Sequence, residues 1–239
     1  MNQKTIIYGK NPLKEAIKAK RKIEKVYLSS NDQSITNLLQ KEKIKYVVIN
    51  TKEMTNKFGP ATQGVVAEVE PYRYQTLENV LAKTKDKLPF LVMLDGLEDP
   101  HNFGAIIRSA EACGIDGIII PKNRSVGLNA TVVKVSTGAI EYVDIIEVTN
   151  LVRTLEDLKS KGFWIIGADM DGPTDFREQD YQMPIVLVIG SEGKGISRLV
   201  KETCDFLVNI PMYGQVNSLN ASVSAGILFY EVVRKRVTK

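Results

Sequence analysis

Short runs of β-branched and aliphatic residues recur along the whole chain, and the stretches between them carry helical spacing. Between residues 4 and 70, the runs TIIYG, KVYLS, KYVVI and GVVAEVE read as strands, with helical segments at 13–20 and 35–43. That alternation predicts a small α/β layer. Gly9-Lys10-Asn11-Pro12 suits a strand-to-helix turn, with Pro12 in the first helical turn. Residues 71–88, bounded by Pro71 and Pro89, are polar and charged and read as a linker carrying a short helix, with docking of 77–88 on the second domain as the alternative. From Phe90 the alternation continues on a larger scale. FLVML, GIII at 117–120, VDIIEV at 143–148, FWIIGA at 163–168, IVLVIG at 185–190 and FLVNI at 206–210 are near-continuous apolar runs. Such runs suit strands covered on both faces, as in a parallel sheet. Helices are expected at 100–113, 128–139, 150–161, 195–202 and 218–236. The fold class is therefore α/β, in a linear order of a small domain at 1–70, a linker at 71–88 and a larger parallel-sheet domain at 89–239.

Composition narrows the function classes. Hydrophobic residues make up 44% of the 239 and charged residues 25%, as in ordinary soluble domains. No apolar run approaches the roughly 20 residues that span a bilayer, and MNQKTIIYGK lacks the apolar stretch of a signal peptide. A cytoplasmic location without membrane association is expected. Cys113 and Cys204 lie far apart without a ligand-spaced histidine, so neither a disulfide framework nor a zinc site is predicted, and both read as small core residues. His101 is the only histidine, which removes multi-histidine metal sites and leaves little room for a Ser-His-Asp triad. Net charge is +4, unevenly spread. Residues 1–70 hold 13 Lys/Arg against 7 Asp/Glu, and the rest holds 19 against 21. A basic N-terminal third suits a polyanion-binding appendage or a solvated lysine-rich surface; charge alone does not choose between them.

Three stretches could carry chemistry. In LDGLEDPHNFGAIIRSAEACG, residues 94–114, Asp99-Pro100 starts a helix whose buried stripe is Phe103, Ile106, Ile107, Ala110 and Cys113, leaving His101 and Arg108 on the other side. Asp95, Glu98, Asp99, His101 and Asn102 crowd the strand end, where open α/β sheets bind ligands. In VLVIGSEGKGIS, residues 186–197, a buried strand enters a turn containing Gly190, Gly193 and Gly195. Neither GxxxxGK[ST] nor GxGxxG is present, and Glu192 would repel a bare phosphate unless something offsets it. The third stretch, IPMYGQVNSLNASVSAGILFYEV at 210–232, joins a loop to a helix through Asn217, Ser218, Asn220 and Ser222. Those short polar side chains can cap the helix or hold a polar ligand, and four exceed the needs of one cap.

Taken together in this order and spacing, the three blocks resemble the SpoU (TrmH) family of RNA 2′-O-ribose methyltransferases. The first supplies the Asn and Arg, the second the Glu of a GSEGxGI loop, and the third N-S-L-N-x-S. The basic unit opening on Gly-Lys-Asn-Pro resembles the family's small RNA-binding domain, so the likeness covers nearly the whole chain. DPHNFGAIIRSAEACG is most similar to the bacterial RlmB-like branch, which modifies a guanosine ribose in large-subunit ribosomal RNA. The resemblance implies a SPOUT-type catalytic domain with a C-terminal trefoil knot, an exception to ordinary topology rules, and a homodimer with its active site at the subunit interface. It implies S-adenosyl-L-methionine as cofactor, contacted by Gly190, Ile210 and Leu219 largely through backbone atoms, and no metal. Asn102, Arg108, Glu192, Ser218 and Asn220 would form the reaction site. The implied partner is structured RNA, 23S ribosomal RNA or its assembly intermediate, and not DNA.

That chemistry requires a ribose 2′-hydroxyl aligned with the methyl group and a route for its proton, so alignment supplies much of the rate. Arg108 would grip a phosphate and stabilise the developing alkoxide, because a guanidinium with a pKa above about 12 is a poor base. His101 is the rival base, since imidazole titrates near pH ~6.5. Two alternatives remain open: tRNA as substrate, or a non-catalytic RNA-binding protein of the same fold. The missing glycine fingerprint argues against a dinucleotide enzyme.

Overall fold

In a computed structural model, residues 5–85, 87–216 and 218–237 are described. They form two compact units, one of residues 1–73 with 128–142 and one of residues 74–127 with 143–239. The smaller unit therefore recruits a segment that the linear reading puts in the larger domain.

The smaller unit holds strands β1 (Thr5–Tyr8), β2 (Ile23–Leu28), β3 (Tyr46–Val48) and β4 (Val65–Val69), and helices α1 (Lys10–Lys18), α2 (Gln33–Lys41) and α3 (Thr51–Phe58). The sheet runs β1-β4-β2-β3, with β4 antiparallel to both neighbours and β2 parallel to β3. Helix α3 is absent from the sequence reading although its start is marked. Asn50 accepts the Glu53 N–H at 2.8 Å, a cap with an acid three residues on.

The recruited segment departs from the single helix expected at 128–139. Helix α6 (Ala130–Val135) stops short, and a 3₁₀ turn follows at Ala139–Glu141. Between them Thr137 and Gly138 both take positive φ, 53° and 102°, which no helix continues through. Packing then decides where the segment goes. Val132, Val133, Ala139 and Ile140 are buried, and α6 packs on β1. Glu141 is held by charge as well, because its carboxylate accepts from Arg21 at 3.0 Å and from the Tyr72 hydroxyl at 2.6 Å. The guanidinium lies over the Tyr72 ring at 3.3 Å and also donates to the Glu70 carbonyl. Burial, together with the Glu141 charge, raises the Tyr72 phenol far above its ordinary range, so it stays a donor.

The larger unit contains α4 (Leu77–Ala82), β5 (Phe90–Asp95), α5 (Pro100–Ala112), β6 (Gly117–Pro121), β7 (Ile145–Val148), α7 (Leu151–Ser160), β8 (Trp164–Ala168), β9 (Thr174–Asp175), β10 (Ile185–Gly190), α8 (Arg198–Thr203), β11 (Phe206–Asn209) and α9 (Ala221–Val237). Its seven strands run β7-β6-β5-β10-β8-β11-β9, and every pairing is parallel. The strands expected from sequence are present, with the two-residue β9 added. Leu91, Met93, Val186 and Val188 pack on one face with Leu155 and Leu158 of α7 and Val80 of α4. Residues of the other parity, Phe90 among them, face the opposite layer, where Phe90 meets Phe229 of α9 edge-on at 6.0 Å. Cys204 packs at the margin of the first layer, and burial pushes its thiol up to about 12.

Two features position a site. Strand β5 leads to β6 on one side, whereas β10 leads by way of α8 to β11 on the other, so the order reverses between β5 and β10. Ligands of open α/β sheets bind at the carboxyl ends of strands at such a reversal. In addition, α9 returns from β11, near the sheet edge, to pack against α5 and β10. Its far end is fixed by Arg236, which donates to the carbonyls of Leu88, Pro89, Tyr181 and Met183.

The buried pair in the smaller unit generates a prediction. The side chains of Arg21 and Glu141 are 9% and 5% exposed. Glu141→Ala leaves a buried guanidinium without its carboxylate and should destabilise that unit by about 3–5 kcal/mol. Replacing both partners, by Arg21→Met and Glu141→Leu, should cost less. Urea unfolding checks this, and a Glu141→Ala protein as stable as its parent would contradict it.

Candidate active site

The site begins where β5 ends. Asp95 closes the strand, Gly96 turns at φ 73°, and Asp99 caps α5 by accepting the His101 and Asn102 N–H groups at 3.1 and 3.3 Å. With Pro100 opening the helix, Asn102 is fixed in the first turn and buried at 6% exposure.

The second component is the turn after β10. Ser191 and Gly195 exchange both backbone hydrogen bonds, at 3.1 and 3.0 Å, with Gly193 and Gly195 at positive φ. The turn folds back so closely that a Cβ on Gly190 would sit 2.0 Å from the Gly195 carbonyl carbon. The need for glycine at 190 is thus set by the loop's own path. At its tip, Glu192 points toward the third component, the start of α9.

There Asn220 does two jobs. Its Oδ1 accepts the Ser222 and Val223 N–H groups at 2.9 and 3.3 Å, capping the helix. Its Nδ2 donates to Asn102 Oδ1 at 2.9 Å and to Glu192 Oε1 at 2.5 Å. The same Glu192 oxygen accepts from Asn102 Nδ2 at 3.0 Å and from the Ala221 N–H at 3.2 Å. The capping reading of the polar cluster therefore holds for Asn220, and its amide nitrogen is used for a junction with Asn102 and Glu192. The Glu192 charge is offset by two amides and by the N-terminus of a 17-residue helix.

Three of the five expected reaction-site residues, Asn102, Glu192 and Asn220, come together in this way. The other two do not join them. Arg108 lies on the exposed side of α5. At about 100° per residue it shares that side with His101, seven positions earlier, and not with Asn102. Ser218 is exposed just ahead of α9, which begins at Ala221 and not at 218 as expected. Asn217 lies outside the described residues. Of the expected cofactor positions, Gly190 and Ile210 are half-buried at the ends of β10 and β11, and Leu219 is at the surface. Gly190 and Ile210 leave backbone groups at two strand ends, and Ile210 and Leu219 offer apolar side chains, groups of the kind that suit a nucleoside cofactor. Asp95, legible in the sequence only as one of the polar residues crowding the strand end, accepts the Ser197 N–H at 2.7 Å. A carboxylate ending a buried strand just before a glycine was the available signal.

A parallel sheet with its polar cluster at the strand-order reversal defines an α/β protein that binds a ligand at the carboxyl ends of its strands. Comparison with known proteins makes this specific. Residues 89–230 match the SpoU rRNA Methylase family, and residues 6–75 match the RNA 2′-O ribose methyltransferase substrate binding family. The chain belongs to the SpoU (TrmH) methyltransferase family. It is 48% identical to the putative TrmH family tRNA/rRNA methyltransferase YacO of Bacillus subtilis, over 98% of this chain and 97% of that one. The SpoU methyltransferase AviRb of Streptomyces viridochromogenes, in complex with the cofactor AdoMet, is 25% identical with a TM-score of 0.85, covering 99% and 92%. The A. aeolicus TrmH/SpoU tRNA modifying enzyme is 34% identical with a TM-score of 0.58, covering 67% and 84%. The family uses S-adenosylmethionine, and this chain is a methyltransferase of that family acting on RNA.

The close path of the 190–196 turn yields a prediction. Gly190→Ala drives a methyl group into backbone, so the turn must shift and carry Glu192 away from α9. Affinity for S-adenosylhomocysteine should fall at least about tenfold, the equivalent of roughly 1.4 kcal/mol. Calorimetry measures this, with circular dichroism confirming the intact sheet; parental affinity would show that the turn has room.

Proposed function

We propose that this protein methylates a ribose 2′-hydroxyl, that of a guanosine in 23S ribosomal RNA, in the cytoplasm. The carrying observation is the junction of Asn102, Glu192 and Asn220, through which three distant segments meet at one strand-end site. A ribosomal target is favoured over tRNA by the additional N-terminal unit, since the tRNA modifying enzyme of A. aeolicus matches over only 67% of this chain. RNA and not DNA is the substrate because the acceptor is the 2′-hydroxyl itself. No helix among the described residues is long and apolar enough to cross a membrane.

When bound, S-adenosylmethionine supplies an electrophilic methyl group on a sulfonium. Gly190, Ile210 and Leu219 hold it, chiefly through backbone groups. Asn102, Glu192 and Asn220 fix the turn after β10, the first turn of α5 and the start of α9 against one another, so the reacting groups meet in a preset arrangement. Arg108, on the open side of α5, binds a phosphate beside the target nucleotide and stabilises the alkoxide as it develops, with Ser218 a second hydrogen-bonding group. The proton passes to phosphate or water. The chemistry proposed needs no metal.

A second copy of the chain completes the arrangement in this reading. On α9, Val223, Ile227 and Tyr230 are exposed along one stripe, and Met212, Tyr213 and Val216 of the preceding segment are exposed too. Exposed apolar side chains of this kind support an interface, and their nearness in sequence to Ser218–Asn220 favours a partner that lies beside the reaction site. The threaded C-terminal path of a trefoil knot is part of the same proposal. The return of α9 from the outer strands to α5 supports it, and an experimental structure with residues 191–220 unthreaded would exclude it.

Mapping 2′-O-methyl groups in RNA from cells with and without the gene tests the target; loss of a site in tRNA would select the alternative. Arg108→Ala should reduce single-turnover methylation about a hundred- to a thousandfold, the range for one preorganised charged donor, and leave cofactor affinity intact. Arg108→Lys should restore little, because an ammonium lacks the planar fork. If His101 is the base, His101→Asn should cost as much and flatten the rate profile between about pH 5 and 8. Near-normal turnover in Arg108→Ala would remove the role given to it. For the dimer, Ile227→Arg should convert a dimer to monomers in analytical ultracentrifugation and lower methylation with it; a parental protein already monomeric would refute the interface.

A further inference from the structure

We propose that Asp95 is a positioning residue for methyl transfer, holding the closing end of the 191–197 loop so that Glu192 meets the start of α9. The inference rests on the methyltransferase reading above. It begins with register. Asp95 and Gly190 are the last residues of adjacent parallel strands and pair directly with each other. The loop leaves from Gly190 and must return close to its origin, because Gly195 lies against the Gly190 backbone. Its return is fixed by a group outside the loop, since the Asp95 carboxylate accepts the Ser197 N–H at 2.7 Å across 102 positions of sequence.

Ser197 is the capping residue of α8, and its own side chain makes no capping bond. The Asp95 contact therefore anchors the point where loop becomes helix. The first end of the loop also lies near β5, since a Cβ added to Gly96 would sit 3.7 Å from the Ser191 Cβ. The end of β5 thus lies beside the loop's first end and is bonded to its last, and the loop's tip carries Glu192 to Asn102, Asn220 and Ala221. Asp95 acts through the loop and not on the RNA. A loosened loop weakens cofactor binding first, while Arg108 on the far side of α5 is untouched.

The test uses the full-length protein. Asp95→Ala should weaken S-adenosylhomocysteine in calorimetry about tenfold, as expected for losing one hydrogen bond to a charged acceptor. It should raise KM for S-adenosylmethionine similarly and leave kcat within about threefold of the parent. Asp95→Asn keeps an acceptor oxygen and should stay within about threefold in both. Ser197→Pro removes the donor instead, and its φ of −62° suits proline. It should reproduce Asp95→Ala, and the double variant should be no worse than either single one. Urea unfolding separates a general loss of folding from this split. Parental affinity in Asp95→Ala, equal loss in Asp95→Asn, or additive losses in the double variant would each overturn the proposal. Failure of the RNA reading would instead show as a parental protein that binds cofactor but methylates no ribosomal RNA, and calorimetry would still decide the role of Asp95.

Discussion

One carboxylate oxygen ties the site together. Glu192 Oε1 accepts from two asparagine side chains and one backbone amide, and each donor belongs to a different part of the molecule or to the first residue of α9. A carboxylate beside a helix N-terminus is favoured by the unpaired N–H groups there. Here that attraction converts three chain segments, separated by 90 and 28 positions, into one rigid junction. Every other feature of the site depends on it. The α9 helix begins where Asn220 caps it, the 191–197 turn is held at its tip, and the first turn of α5 is fixed by the buried Asn102.

The junction also divides labour within the site. Asn102, Glu192 and Asn220 satisfy one another, so their polar capacity is spent largely on geometry. Arg108, His101 and Ser218 are exposed, and in the proposed mechanism their groups are left for a substrate. Methyl transfer asks for this division, because an activated methyl group needs accurate alignment more than it needs a strong acid or base. A guanidinium suits the outward role, since it remains charged throughout and fits phosphate in its own plane.

The smaller unit obeys a different constraint. It is not a bead on a single tether, because residues 128–142 leave the larger unit's sequence and fold with it. The buried Arg21–Glu141 pair and the Tyr72 hydroxyl hold that segment by charge and hydrogen bonding, and Val132, Val133 and Ile140 hold it by burial. A protein cut before Thr76 would strip these residues of their partners. The contribution of this unit to RNA binding is therefore better read from surface lysine substitutions than from deletion.

Periodicity alone fixed most of the elements. Near-continuous apolar runs such as FLVML and IVLVIG can be buried only on both faces, so they had to become inner parallel strands. Asp99-Pro100 had to open α5, for local reasons of capping and proline geometry. Local rules also mark the start of α3 through Asn50 and Glu53, although eight residues leave little room for periodicity to show. The site residues were legible as family blocks, but their partners were not. Hydrogen bonds from Asn102 and Asn220 to one Glu192 oxygen span distances in sequence that no periodicity encodes. The same holds for Asp95 and Ser197, and for the segment 128–142, whose burial against the small unit depends on surfaces built elsewhere. Sequence determined which faces were apolar and where helices could start. Only the tertiary structure decided which polar groups met, because a hydrogen bond needs its two atoms about 3 Å apart and that proximity is a property of the folded sheet.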